Sequence, residues 1–301
     1  MPHLKRLTPP VALLAACIAN TARAHAPAPA VPDRPLGTTL VVFLLLICAI
    51  AYAAGFARLR PHVHARRELH LRGLAFAAGW FALAAALLSP LDTLAAGSFA
   101  AHMIQHESLM LIAAPLLVVG RGLPTMLWAL PRAARVTVGG ATQAGWLHRS
   151  WEVLTAPFTA WLLHAAALWI WHAPLLFNAA LEKGAIHDLQ HATFLVTALL
   201  FWHALLRHGA QARRGMSVLY LFTTTIHTGV LGALLTFSRT PLYAPFDFGL
   251  RTWGSLTPLE DQQLGGLIMW VPGALVYVGV ALALLASWLS RTNSDGEVSV
   301  M

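Results

Sequence analysis

The sequence predicts an all-α membrane protein, a bundle of seven transmembrane helices with its N-terminus outside and its C-terminus in the cytoplasm. Three observations carry this. Apolar residues make up 57% of the 301 and charged residues only 11%, less than half of what an ordinary soluble domain carries. Stretches of about twenty residues almost free of charge recur along the chain, each long enough to cross about 30 Å of hydrocarbon as a helix. Arginine gathers in alternate connections between them, as orientation in a bilayer requires. The net charge of +8 therefore belongs to topology and not to nucleic-acid binding. Of the two cysteines, Cys17 lies near the N-terminus and Cys48 stands alone in an apolar run, which excludes a disulfide framework and a CxxC redox pair. With 15 histidines, metal chemistry here would use imidazole and thioether.

Residues 1–24 read as a cleaved signal peptide. Lys5 and Arg6 form the positive end, Thr8 to Ala19 the short apolar stretch, and Ala22-Arg23-Ala24 the small-x-small cleavage pattern. The lipoprotein-like Leu14-Ala15-Ala16-Cys17 is the competing reading. Residues 25–37 are rich in alanine and proline and form an extracytoplasmic linker. Cleavage after Ala24 would also leave His25, an α-amine and an imidazole on one residue, at the mature N-terminus.

Spans follow near 38–57, 73–91, 98–119, 155–175, 186–206, 216–238 and 263–289, within a transmembrane domain over 38–290, and 291–301 is a cytoplasmic tail. A cleaved signal puts the first span's start outside, and an odd number of spans brings the end inside. The expected inside segments carry Arg58, Arg60, Arg66, Arg67, Arg72, Arg121, Arg132, Arg135, Arg149, Arg207, Arg213, Arg214 and Arg291. The mature outside segments carry Arg34, Lys183, Arg239 and Arg251, and the bias agrees with that orientation. The inside loop 120–154, with Pro124, Pro131 and Gly139-Gly140, is expected partly on the membrane surface. The outside loop 239–262, with Tyr243, Phe246, Phe248 and Trp253, suits a structured cap.

The histidines sort by side. His62, His64, His70, His148 and His208 fall in arginine-rich inside loops and read as solvated. His164 and His203 lie in inner halves of spans, where a lone histidine most simply bonds a neighbouring helix. The outer half differs. The third span opens His102-Met103-Ile104-Gln105-His106 and the fifth His187-Asp188-Leu189-Gln190-His191. Each is an i,i+4 pair that puts two imidazoles on one helical face. His172 stands at the outer end of the fourth span and His227 near the middle of the sixth. Helical rise places His187 at the surface, His102 roughly 6 Å in, His106 roughly 12 Å and His227 roughly 16 Å, a graded series.

Neutral imidazole binds first-row metals, and a pair on one rigid helix supplies two ligands at once. Asp188 and Glu107 are candidates to orient the rings. Met103, Met110 and Met269 could add thioether ligands that favour Cu(I). The seventh span opens Leu259-Glu260-Asp261-Gln262-Gln263, where acidic residues suit the helix dipole and Asp261 could equally be a metal ligand or a docking carboxylate. Gly265 and Gly266 permit close helix packing, and Pro272-Gly273 suggests a kink.

These motifs resemble the CtaG family of cytochrome c oxidase assembly factors, associated with caa(3)-type oxidases. The resemblance rests on HMIQH at 102–106 before a proline-containing helix ending Val119-Gly120-Arg121, on WHAP at 171–174, HDLQH at 187–191, HTGVLGALLTF from His227, and LEDQQLGGLIMWVPG from Leu259. It implies a non-enzymatic factor of the bacterial inner membrane that helps metallate the oxidase haem-copper centre. The implied metal residues are His102, His106, His172, His187, His191, His227 and Asp261. Copper, with Cu(I) favoured, is the expected ion and haem is not expected. Partners would be oxidase subunits, a periplasmic copper carrier and the bilayer, with no nucleic acid. On this reading His187 and His191 admit the ion, His102, His106 and His172 hold it, and His227 marks the deeper end. Two other classes stay open. His106 and His191 could ligate a b-type haem, or a transporter could continue inward through His164 and His203.

Overall fold

The computed structural model describes residues 35–207, 211–243 and 256–298. The signal peptide, His25, most of the linker, His208, Phe246, Phe248, Arg251, Trp253 and the last three residues lie outside the described residues, as do the side chains of Arg207, Arg213, Arg214 and Arg291. The described residues are helical, with no strand among them. The helices are α1 (Pro35–Leu59), α2 (Arg66–Leu88), α3 (Pro90–Gly97), α4 (Phe99–Val119), α5 (Gly122–Leu127) and α6 (Arg132–Thr142). They continue with α7 (Gly145–Thr155), α8 (Pro157–Trp171), α9 (Pro174–Glu182), α10 (Gly184–Arg207), α11 (Gln211–Thr236) and α12 (Pro258–Val298).

Among the described residues, six helices, α1, α2, α4, α10, α11 and α12, are long and apolar enough to cross a membrane, and α7 with α8 makes a seventh if that pair, bent by 65°, is one span. The protein is a multi-pass membrane protein, and its surface shows it. Leu219, Phe222, Ile226, Val230, Leu234 and Phe237 are exposed along α11 at helical spacing, an apolar stripe that suits hydrocarbon. The interior instead holds His102, Gln105, His106, His164, Gln190 and Asp261.

Two helices occupy the centre. Half of the apolar window of α4 and of α10 is buried, against 17% for α1 and α12. The first part of α4 packs on α12, its last part on α2 and α10, while α8 packs on α10 and α11. α11 and α12 pack closely because glycines meet: a Cβ on Gly232 would fall 2.8 Å from the Gly266 carbonyl oxygen, and one on Gly266 2.7 Å from that of Gly232. Gly265 lies against Phe99 of α4. The expected small-residue packing of Gly265 and Gly266 is there.

Several boundaries differ from the expectation. The fourth span, expected over 155–175, ends at Trp171 and resumes as α9. The residue before a proline is driven out of the helical region, and Ala156 and Ala173, before Pro157 and Pro174, are extended at ψ 133° and 129°. The loop 120–154 is three short helices, with Gly139 and Gly140 inside α6. α12 begins five residues earlier than expected and continues through Pro272 and past Ser290 to Val298.

α4 contains a wider π turn over Ser108–Ala113. In a π turn each carbonyl accepts from the residue five positions on, and Ala114 N–H does donate to Leu109 O. The next donor would be Pro115, which has no N–H. The indole Nε1 of Trp202 on α10 takes its place, donating to Met110 O at 2.8 Å.

Candidate metal centre

The site is built on two helix starts. At the head of α4, Ser98 accepts from Ala101 N at 3.2 Å, the usual N-cap bond. Asp261, in the first turn of α12, adds a second cap: it accepts from Phe99 N at 2.6 Å, from Ala100 N at 3.3 Å and from Ser98 Oγ at 2.7 Å. This sets the height of His102 and His106. Asp261 is 1% exposed, and its oxygens accept from the α4 backbone and the Ser98 hydroxyl, so it caps α4. The dipole of its own helix is met by Glu260, whose Oε2 accepts from Thr257 N at 2.8 Å, a capping box.

Five of the seven expected residues come together. Ring centroids lie 4.3 Å apart for His102–His106, 4.1 Å for His187–His191, 5.2 Å for both His102–His187 and His106–His191, and 6.4 Å for His106–His172. α4 and α10 thus set their pairs side by side, level with each other, in place of the graded series. His102, His106 and His191 each offer a ring nitrogen, and these atoms all lie within 4.8 Å of one another. All five histidines are buried, His187 included at 5% exposed, because α9 folds back over this end of α4 and α10. Phe177 of α9 covers His102 at 5.3 Å and His172 at 6.2 Å, and packs at a tilt against Phe99 and Tyr243.

Hydrogen bonds fix one ring's tautomer. His172 Nδ1 lies 2.7 Å from Leu168 O. A carbonyl only accepts, so Nδ1 carries the proton and Nε2 is left as a lone pair, with no hydrogen-bond partner among the described residues. Metal-binding histidines are commonly oriented in this way. Neither ring nitrogen of His106, 1% exposed, has such a partner either, and a buried polar group left so costs on the order of 1–3 kcal/mol. Bare nitrogens on His106 and His172 beside His102 and His191, without thiolate, fit a copper- or zinc-class ion. Tyr243 O–H donates to His172 O at 3.0 Å, and burial pushes its phenol above the ordinary value, so it remains the donor.

The other expected participants lie elsewhere. His227 sits against Trp161 at 6.0 Å, not with the five, because it projects from α11 toward α8. Asp188 is exposed with its carboxylate beside Gly37 of α1. Glu107 Oε2 would lie 3.3 Å from a Cβ on Gly273 of α12, on a different face of α4 from the imidazoles. Met103, Met110 and Met269 lie in apolar clusters. His164 does bond a neighbouring helix, through Thr197 at 3.3 Å, while His203 packs on Trp151 of α7. The sequence reading missed Phe177 and the Leu168 carbonyl; Ala173-Pro174, a helix break, was the signal for the first.

The cytochrome c oxidase caa3 assembly factor family matches residues 50–291. Uncharacterized proteins of Mycobacterium bovis and of Mycobacterium tuberculosis are each 29% identical over 81% of this chain and 37% of their own length. One of Mycobacterium leprae is 27% identical over 89% of this chain and 40% of its own. The chain thus spans well under half the length of these relatives. No solved structure matches it significantly.

Proposed function

The chain belongs to the cytochrome c oxidase caa3 assembly factor family, and from that premise we propose that it serves oxidase maturation by holding copper, as cargo, among His102, His106, His172, His187 and His191. The observation that carries this is the convergence of ring nitrogens from His102, His106 and His191 within 4.8 Å, beside a His172 whose Nε2 is left bare by the bond at Nδ1. Bound copper would be delivered to the oxidase and undergo no chemistry here, so the protein is not an enzyme. In a buried pocket of uncharged donors a monovalent ion leaves less charge to bury than a divalent one.

Each residue has a part. His172 presents a fixed lone pair, the i,i+4 pairs of α4 and α10 supply the others, Asp261 sets the height of α4, and Phe177 with Tyr243 keeps water off. The arginine distribution supports a cluster on the periplasmic side of a bacterial inner membrane, where it would face oxidase subunits and a copper carrier. Copper content of detergent-purified protein, loaded anaerobically with Cu(I), tests this against the His102→Ala/His106→Ala variant. Loss of bound copper in the variant, with falling oxidase copper and activity in cells, is expected. Unchanged oxidase copper while the variant stays abundant overturns it, and a Soret band in the purified protein would favour haem.

A further inference from the structure

A second pair of histidines lies deeper in the bundle. His164 precedes His172 by eight residues on α8, about 12 Å along the helix, and is 1% exposed. Its Nδ1 is 3.3 Å from Thr197 Oγ1 of α10. The Thr197 hydroxyl proton is already given to Thr193 O at 2.8 Å, with Phe194 O at 3.3 Å. Thr197 Oγ1 can therefore only accept from His164, so Nδ1 carries the ring proton and Nε2 is a bare lone pair. That Nε2 has no hydrogen-bond partner among the described residues.

His227 of α11 faces the same space. Its ring lies 6.0 Å from Trp161, one turn before His164 on α8, where α8 packs on α11. Both of its ring nitrogens are buried, and neither has a hydrogen-bond partner among the described residues. Phe201 stacks on the His164 ring at 5.1 Å, so the surroundings are aromatic and apolar. Two imidazoles on packed helices, one with its tautomer set by a threonine, each keep a buried ring nitrogen without a hydrogen-bond partner among the described residues.

We propose that His164 and His227 form a second metal site that takes one monovalent d10 cation, Cu(I) or its surrogate Ag(I). Zinc takes four ligands, whereas two neutral nitrogens suit a low-coordinate monovalent ion whose small charge is less costly to bury. The site goes beyond the outer-cluster reading and does not require it.

The test is anaerobic titration of the detergent-purified full chain with Ag(I) against a competing chelator, counting bound ions per chain. Four proteins are compared: wild type, His102→Ala/His106→Ala, His164→Ala/His227→Ala, and Thr197→Val. The inner variant should bind one ion fewer than wild type, and the outer variant should keep that ion, with two nitrogen neighbours by X-ray absorption. Thr197→Val should weaken the inner site about tenfold by releasing the His164 ring. An unchanged ion count in the inner variant overturns the proposal, and the pocket then holds water. So does a helical, monodisperse outer variant that binds nothing. Should the inner variant fail to fold, His227→Ala alone, which leaves the His164–Thr197 bond intact, gives the same reading. Loss of an ion in the inner variant with none lost in the outer one would keep this site and sink the outer one.

Discussion

Asp261 of α12 accepts the backbone N–H of Phe99 at 2.6 Å, so the helix that carries His102 and His106 starts where the last helix holds it. The two residues are far apart in sequence, and the bond makes the first turn of α12 part of the metal-centre scaffold.

Asp261→Ala should therefore lower stability by about 1–2 kcal/mol, the scale of a lost N-cap, and leave the number of bound ions unchanged at saturating metal. Thermal unfolding in detergent and metal counting read the two effects separately. A lost ion at an unchanged melting temperature would make Asp261 a ligand.

Gly266→Ala should cost about 1–3 kcal/mol by overpacking, since the new Cβ would fall 2.7 Å from both the Gly232 carbonyl oxygen and the Thr236 backbone nitrogen. Gly139→Ala in α6 meets nothing within 4 Å and should gain about 0.5–1 kcal/mol, as a helical glycine replaced by alanine does. Thermal midpoints measured side by side check the contrast in sign.

Trp202→Phe removes the indole that donates to Met110 O and should cost about 1–3 kcal/mol, the penalty of a buried carbonyl left unmet. Pro115→Ala restores a backbone donor within reach of that carbonyl. The double variant should then be more stable than the summed single effects predict, a coupling on the order of 1 kcal/mol. Strict additivity would mean that the indole is not substituting for the missing N–H.

Phe177→Ala should quicken release of bound Ag(I) into excess chelator without changing how many ions the protein holds, because the ring covers His102 and His172 but offers no ligand. Stopped-flow release against equilibrium counts distinguishes the two. Equal release rates would show that Phe177 does not close the site.

Much of this was legible from one dimension. The spans were readable because charge is scarce and hydrocarbon thickness sets a length, and HMIQH with HDLQH was readable because i and i+4 share a helical face. The relation between those pairs was not. Depth counted along each helix assumes independent starting heights, whereas α4 and α10 are level because Asp261 and the α9 turn set them so. That Asp261 caps α4 is not legible, because an acidic side chain in a first turn gives no sign of which helix it serves. His164 could be recognised as bonded to a neighbour, but its bare Nε2 follows only from knowing where the Thr197 proton goes. The Pro174 break is visible in the sequence, but apolar content alone does not register a missing N–H.

The π turn in α4 acts as a screw. Each residue advances a helix by about 100°, so the extra one taken up across Ser108–Ala113 swings everything beyond it by that angle relative to the imidazole face. The segment before it can aim its histidines at α10 while the segment after it presents Leu116 to Gly79 of α2. One helix thereby keeps two bearings, and deleting a single residue within the wide turn would trade one for the other.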